Sequence, residues 1–335
     1  MARKVFSFLL TFVLMLSLVT AAAASTAVYP IVVPPESGAV VPADPAVPPP
    51  LFVVPPPPLW EIGSASFVNS TITTSAKHPY STFKGWIAYT KQTNADATGW
   101  LHIPGTNINH PIVQKTRDEN MTVLQDNDYY NVRNLHGQVF PNMHWRNFAD
   151  TTIYRDVRVI SGPSWIASSR NTVIYGHNWT NWGVPYRIGN QQNHTIGGVT
   201  QAALMFSQLP SYTNIEFARA NPYIYYSDEQ KEGIWKVFAV ATVEISNDFN
   251  YNGPNPNDEL YQSLLNEWKL RSRFNFEVDV NTNDRILTLS TCTNEHPVSG
   301  DRQRLVVVAR LLRPNETEND TVNVTVNPNP KRPVF

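Results

Sequence analysis

Between residues 83 and 92, large side chains recur at helical spacing. Phe83, Trp86, Ile87 and Thr90 share one face and Ser81 stands where a cap belongs, which predicts a helix. A second helical pattern covers 258–271 after a capping Asn257. Leu260, Leu264 and Trp268 recur at every fourth position, with Tyr261 and Leu265 beside them. Most other periodic segments are short and β-prone: 172–175, 223–226, 234–244, 285–290 and 305–312. Turns rich in Asn, Gly and Pro separate them. Many short strands and few helices predict a mainly β body, a barrel or a sandwich with helical additions. Residues 191–199 read as a loop insertion, and no internal repeat is present.

Both ends depart from this pattern, so the folded body spans 81–313. At the start, Arg3 and Lys4 precede an uncharged run from Val5 to Val28, and Ala21 to Ala24 supply small residues suited to signal cleavage. Residues 1–28 are therefore either a cleaved signal peptide or a retained anchor; the run is long enough for the ~20 residues a bilayer needs. Either way the chain is exported, to the outer face of the membrane or to the cell wall. Residues 29–80 are a proline-rich spacer with runs at 48–50 and 55–58, and about thirty such residues in polyproline II reach roughly 90 Å. The alternative role for this stretch is a ligand for a proline-binding module. Residues 314–335, rich in Asn, Thr and Pro with few large apolar residues, read as a disordered tail.

Composition narrows the chemistry. Lys and Arg total 26 against 27 Asp and Glu, a formal charge of -1, so no basic field exists to attract nucleic acid. The single cysteine, Cys292, cannot form an internal disulfide in an exported protein. It is an intermolecular bridge, an inert thiol or a reactive one. Cys292 ends the strand-like run 286–290, and an eleven-residue polar loop, 293–303, leads to Arg304 at the head of a Val-rich run. If the two strands pair antiparallel, Cys292 and Arg304 share one rim, where a guanidinium favours a thiolate and can hydrogen-bond an oxyanion. A thiol nucleophile also needs a base. Of the eight histidines, His177 is the best placed, because it too follows a strand and a glycine. The histidines lack the paired spacing of a zinc site, and no metal or cofactor is expected.

Five blocks resemble the class B sortases: 99–108 (GWLHIPGTNI), 111–114 (PIVQ), 126–130 (DNDYY), 175–178 (YGHN) and 289–293 (LSTCT). The run from Arg304 to Val308 resembles that family's arginine strand. The blocks come in family order and cover most of 83–313. This resemblance implies a closed eight-stranded β-barrel with an N-terminal helix and another helix before the cysteine strand. It implies a cysteine transpeptidase acting on sorting-motif peptides of exported proteins. Cys292 would form a thioester with the Thr carbonyl of the motif. His177 would protonate the leaving amine and deprotonate the incoming one, and Arg304 would bind the substrate carbonyl or oxyanion. The acceptor would be a cell-wall cross-bridge amine or a pilin-type lysine. Asn127, Tyr130, Ser290 and Thr291 would line the substrate groove.

The chain also departs from the family. Asn131 stands where Leu commonly follows the paired tyrosines, Arg302 is a second candidate arginine, and Pro297 lies in the loop between Cys292 and Arg304. Residues after Asn178, up to 199, and residues 141–145 form longer connections. Two competing readings are a cell-wall cysteine peptidase, whose papain-like members place Cys before His in the chain, and a non-catalytic surface module that has kept the barrel.

Overall fold

The computed structural model describes residues 83–133, 135, 137, 152–160, 169–178, 180–189, 193–196, 199–202, 205–246, 248–297 and 302–335. The expected signal peptide or anchor and the spacer lie outside the described residues, as do Ser81 and the 141–145 connection. No helix among the described residues is long and apolar enough to cross a membrane.

Helix α1 (Phe83–Lys91) buries the expected face of Phe83, Trp86, Ile87 and Thr90. The Trp86 ring meets Trp100 with centroids 4.9 Å apart, which seats the helix on the first strand. That strand, β1 (Ala97–His102), is followed by β2 (Asn109–Val113), helix α2 (Asp128–Asn131), β3 (Ile153–Arg155) and β4 (Asn171–Gly176). Within the region that overlaps the predicted loop insertion, β5 (Asn193–Ile196) pairs antiparallel with β6 (Val199–Ala202). Helix α3 (Ile215–Ala220), β7 (Tyr223–Asp228), β8 (Ile234–Glu244), helix α4 (Asp258–Arg271), β9 (Phe274–Phe276), β10 (Ile286–Cys292), β11 (Gln303–Leu311) and β12 (Val324–Val326) complete the order.

Eight of the strands close on themselves in the order β1-β2-β3-β4-β10-β11-β8-β7, and β7 returns to β1. This is the closed eight-stranded barrel expected, with α1 before it and α4 ahead of the cysteine strand. The closing seam needs Gly99, because a Cβ there would lie 2.9 Å from the Ser227 carbonyl. Strand β10 is central, parallel to β4 and antiparallel to β11. Every residue from Ile286 to Thr291 is buried, and Cys292 alone opens partly to solvent. Each Leu or Ile buried in this way stabilises the fold by about 1.5–3 kcal/mol.

Two expectations are corrected. In α4 the buried stripe is Tyr261, Leu264, Leu265 and Trp268, while Leu260 is 61% exposed. At roughly 100° per residue, Leu260 lies about a quarter-turn from the centre of that stripe. The tail expected to be disordered is folded. Val322 and Val324 are buried, and β12 pairs with β9. Low apolar content misled because charge does much of the fastening. The nearly inaccessible guanidinium of Arg310 is bound by Glu316, whose carboxyl is pulled down to about 2, first by that hydrogen bond. Arg313 likewise pairs with Asp284 and Asp279.

Candidate active site

Strands β4 and β10 run parallel, so their C-terminal ends emerge on the same rim. Tyr175 is level with Ser290, and two residues beyond each come His177 and Cys292. Across the antiparallel pair of β10 and β11, Cys292 lies directly opposite Arg304. Directly opposed residues project to the same side of a sheet. Three adjacent strands thus deliver a thiol, an imidazole and a guanidinium to one rim. Cys292 and Arg304 are both half-buried.

Polar contacts fix the ends of the two parallel strands. The Thr291 hydroxyl donates to the Gly176 carbonyl at 2.6 Å, and the Asn178 amide donates to the Cys292 carbonyl at 3.0 Å. Asn178 also closes a turn, donating to the Asn181 carbonyl and accepting from the Asn181 N–H. Gly176 leaves no room for a side chain, since a Cβ would stand 2.7 Å from the Phe206 ring.

His177 Nε2 lies 2.9 Å from the carbonyl oxygen of Asn131, the last residue of α2. A carbonyl can only accept, so Nε2 carries the hydrogen and Nδ1 is the bare nitrogen of the neutral ring. Burial, and secondarily the charge of Arg304, hold His177 below its ordinary pKa against the opposing effect of the Asn131 carbonyl. The Asn131 side chain accepts in turn from the Tyr154 hydroxyl at 3.1 Å. Asn127 ties α2 to the segment after β3, donating to Asp156 at 3.2 Å and accepting from the Val157 N–H at 2.9 Å. Burial opposes the charge on Asp156, but hydrogen bonds from Arg158 outweigh it and keep the carboxyl ionised. The same carboxylate accepts from Tyr175, the residue level with Ser290.

Three residues expected in the groove have their hydroxyls engaged within the protein. Tyr130 is buried against Val113 and Tyr154, with its hydroxyl on Asp96 at 2.9 Å. The Ser290 hydroxyl meets that of Tyr251, and Thr291 holds Gly176 as described. All three side chains lie within closed strands or the helix packed on them, so small or aromatic polar residues there satisfy buried partners. Asn127 is half-buried and ties α2 down through its side chain. The two candidate arginines also separate: Arg302 pairs with the buried Glu244 at 3.3 Å, while Arg304 faces Cys292.

Three other described histidines have different surroundings. His102 and His110 are buried in the barrel wall, where desolvation lowers both to about 4. His296, in the loop after Cys292, has its ring 5.1 Å from that of Phe335. Among the described residues, no group of three His, Cys, Asp or Glu could hold a metal ion. Sequence reasoning missed Asn131, Asn178 and Tyr154 as supports. Asn178 had a signal, since it directly follows His177 in a recognised block. The Asn131 contact had none, because a backbone carbonyl is the same at every residue.

No protein-family model matches the chain. Sortase B of Staphylococcus aureus (strain NCTC 8325 / PS 47) is 27% identical over 222 residues, 66% of this chain and 72% of the relative. Sortase B of Listeria monocytogenes serovar 1/2a is 27% identical over 226 residues, 65% of this chain and 71% of the relative. A solved Staphylococcus aureus sortase B–substrate complex aligns with a TM-score of 0.49 at 24% identity, over 70% of this chain and 87% of the other. By its sequence, this barrel protein is related to the class B sortases.

Proposed function

We propose that the chain is an exported cysteine transpeptidase that cleaves a sorting motif in other exported proteins and transfers the acyl part to an amine. The observation that carries this reading is the cross-strand pairing of Cys292 with Arg304, with His177 just past the end of the neighbouring strand, two residues beyond the Ser290–Tyr175 pair. The lowered His177 pKa supports it, because the ring is then neutral at pH 7 and can accept a proton at Nδ1.

In the first step the thiol proton passes to His177 and the sulfur attacks the Thr carbonyl of the motif. Arg304 hydrogen-bonds the oxygen as it gains charge. The C–N bond breaks, the imidazolium returns the proton to the leaving amine, and a thioester to Cys292 remains. In the second step an acceptor amine attacks the thioester, His177 takes its proton, and the thiolate leaves. Two easier steps replace one difficult amide exchange. The acceptor is a cell-wall cross-bridge amine or a pilin-type lysine. The site works at the outer face of the membrane or in the wall, with residues 1–28 as its export signal or anchor.

The test is incubation of the protein with a library of sorting-motif peptides, with and without amine acceptors, followed by mass spectrometry. A thioester on Cys292 that an added amine discharges into a new amide is the expected result. No adduct with any peptide, and the same products from Cys292→Ala, would overturn the reading. Discharge to acid alone, whatever amine is offered, would make the enzyme a peptidase instead.

A further inference from the structure

The folded tail does more than pack. After β12, residues 327–335 run back along the C-terminal end of α4. The Asn327 amide donates to the Ser272 carbonyl at 2.7 Å, and the Lys331 N–H donates to the Leu270 carbonyl at 2.9 Å. These carbonyls belong to the helix end, where intrahelical donors run out. Lys331 Nζ also binds both oxygens of Glu267, at 2.8 and 2.9 Å. The segment then brings the Phe335 ring to 5.1 Å from His296.

His296 lies in the loop between Cys292 and Arg304, and that loop is gripped from three sides. The His296 N–H donates to Gln303 Oε1 at 2.8 Å, and Gln303 Nε2 donates back to the His296 carbonyl. Glu295 accepts from Arg273 at 2.8 Å and from the Thr242 hydroxyl. Arg273 joins the two systems, because its own carbonyl accepts the Asn327 N–H at 3.0 Å. Tail, Arg273 and Phe335 therefore act on one short loop, and that loop's ends are the thiol and the guanidinium.

We propose that residues 323–335 form a positioning strap that holds residues 293–297, the stretch that follows Cys292, and through it the placement of Cys292 relative to Arg304. The proposal rests on the transpeptidase reading for its catalytic meaning but not for its physical content. Phe335 fastens the loop directly, and Asn327 and Lys331 anchor the strap to α4.

Hydrogen exchange on the full chain tests it without reference to activity. The Thr293 and His296 amides, held by Gln303, should exchange about two- to tenfold faster in Phe335→Ala, the range for loss of one aromatic pair. The double variant Asn327→Ala/Lys331→Ala should show the same change, and Phe335→Trp should restore protection. Val326→Ser, at an exposed position on the same segment, should leave exchange unchanged. In the thioester assay the first two variants should lower kcat by a similar factor with little change in peptide KM. Unchanged exchange at Thr293 and His296 in both variants would overturn the strap. Faster exchange in a protein that forms no thioester with any peptide would uphold the strap and sink the transpeptidase reading instead.

Discussion

The imidazole of His177 donates from Nε2 to the main-chain carbonyl of Asn131 across 2.9 Å, and the Asn131 side chain is held by the Tyr154 hydroxyl. A peptide carbonyl thus occupies the place where many His-dependent enzymes put a carboxylate. It orients the ring and fixes its tautomer without adding a negative charge, and its pull on the ring's proton is outweighed by burial. Nitrogen-15 NMR should find the neutral ring protonated at Nε2. Tyr154→Phe should keep the fold, lower kcat several-fold and shift the acidic limb of the pH–rate profile. A ring protonated at Nδ1 would refute the assignment.

Asn178 holds the two strand ends at their shared rim through the Cys292 carbonyl. Asn178→Ala removes the side-chain donor to that part-buried carbonyl and to the Asn181 turn. The cost expected is about 1–3 kcal/mol in denaturant unfolding. Asn178→Asp, which keeps the shape and loses the donor, should be no better.

Arg304 and Arg302 should respond in opposite ways. Arg304→Lys keeps charge but loses the planar fork, and kcat/KM for thioester formation should fall by about 10²-fold. Arg302→Ala removes the partner of the buried Glu244. Its effect should appear in thermal stability, with kcat/KM within a few-fold of wild type.

His102 and His110 are neutral in the fold, each lowered from 6.5 to about 4 by burial. The unfolded chain binds their protons first, so stability falls as pH drops from 6.5 towards 4 and is unaffected by them above 6.5. Each contributes roughly 3 kcal/mol to that loss at the lower limit. Glu316 acts later, since its stabilisation fades only as pH falls below its ordinary 4.5 towards 2. Urea titrations at pH 7, 5.5 and 4.5 should show the decline, and a flat profile across that window would contradict it.

Glu316→Gln leaves the Arg310 guanidinium, 1% exposed, without its carboxylate. Breaking a buried pair on one side costs about 3–5 kcal/mol. A clear fall in Tm, with faster proteolysis of 313–335, is the expected outcome.

The central strands were legible because two signals agreed. Residues 286–292 and 304–311 carry strong β pattern on both sides of a polar loop, and antiparallel pairing then sets Cys292 against Arg304. His177 could be read for the same reason, at the end of a strand after a glycine. For Tyr130, Ser290 and Thr291 the sequence pattern offered a ligand contact beside the nucleophile, but not the protein partners that their hydroxyls bind. Residues 314–335 read as disordered on composition, which weighs apolar content and overlooks ion pairs such as Lys331–Glu267 that bring distant residues together. Leu260 shows the limit of a four-residue spacing, which drifts around the helix until its first member faces water.

Closure of the barrel through β1 and β7 constrains how a peptide is chosen. An open sheet can seize a passing chain by extending its own ladder of main-chain bonds, and it does so with little regard to sequence. The barrel of eight described strands offers no such unpaired border. On the transpeptidase reading, a peptide brought to Cys292 is judged by its side chains against the loops that surround the rim. Selectivity can therefore drift with the connections while the wall that aligns Cys292, His177 and Arg304 stays unchanged.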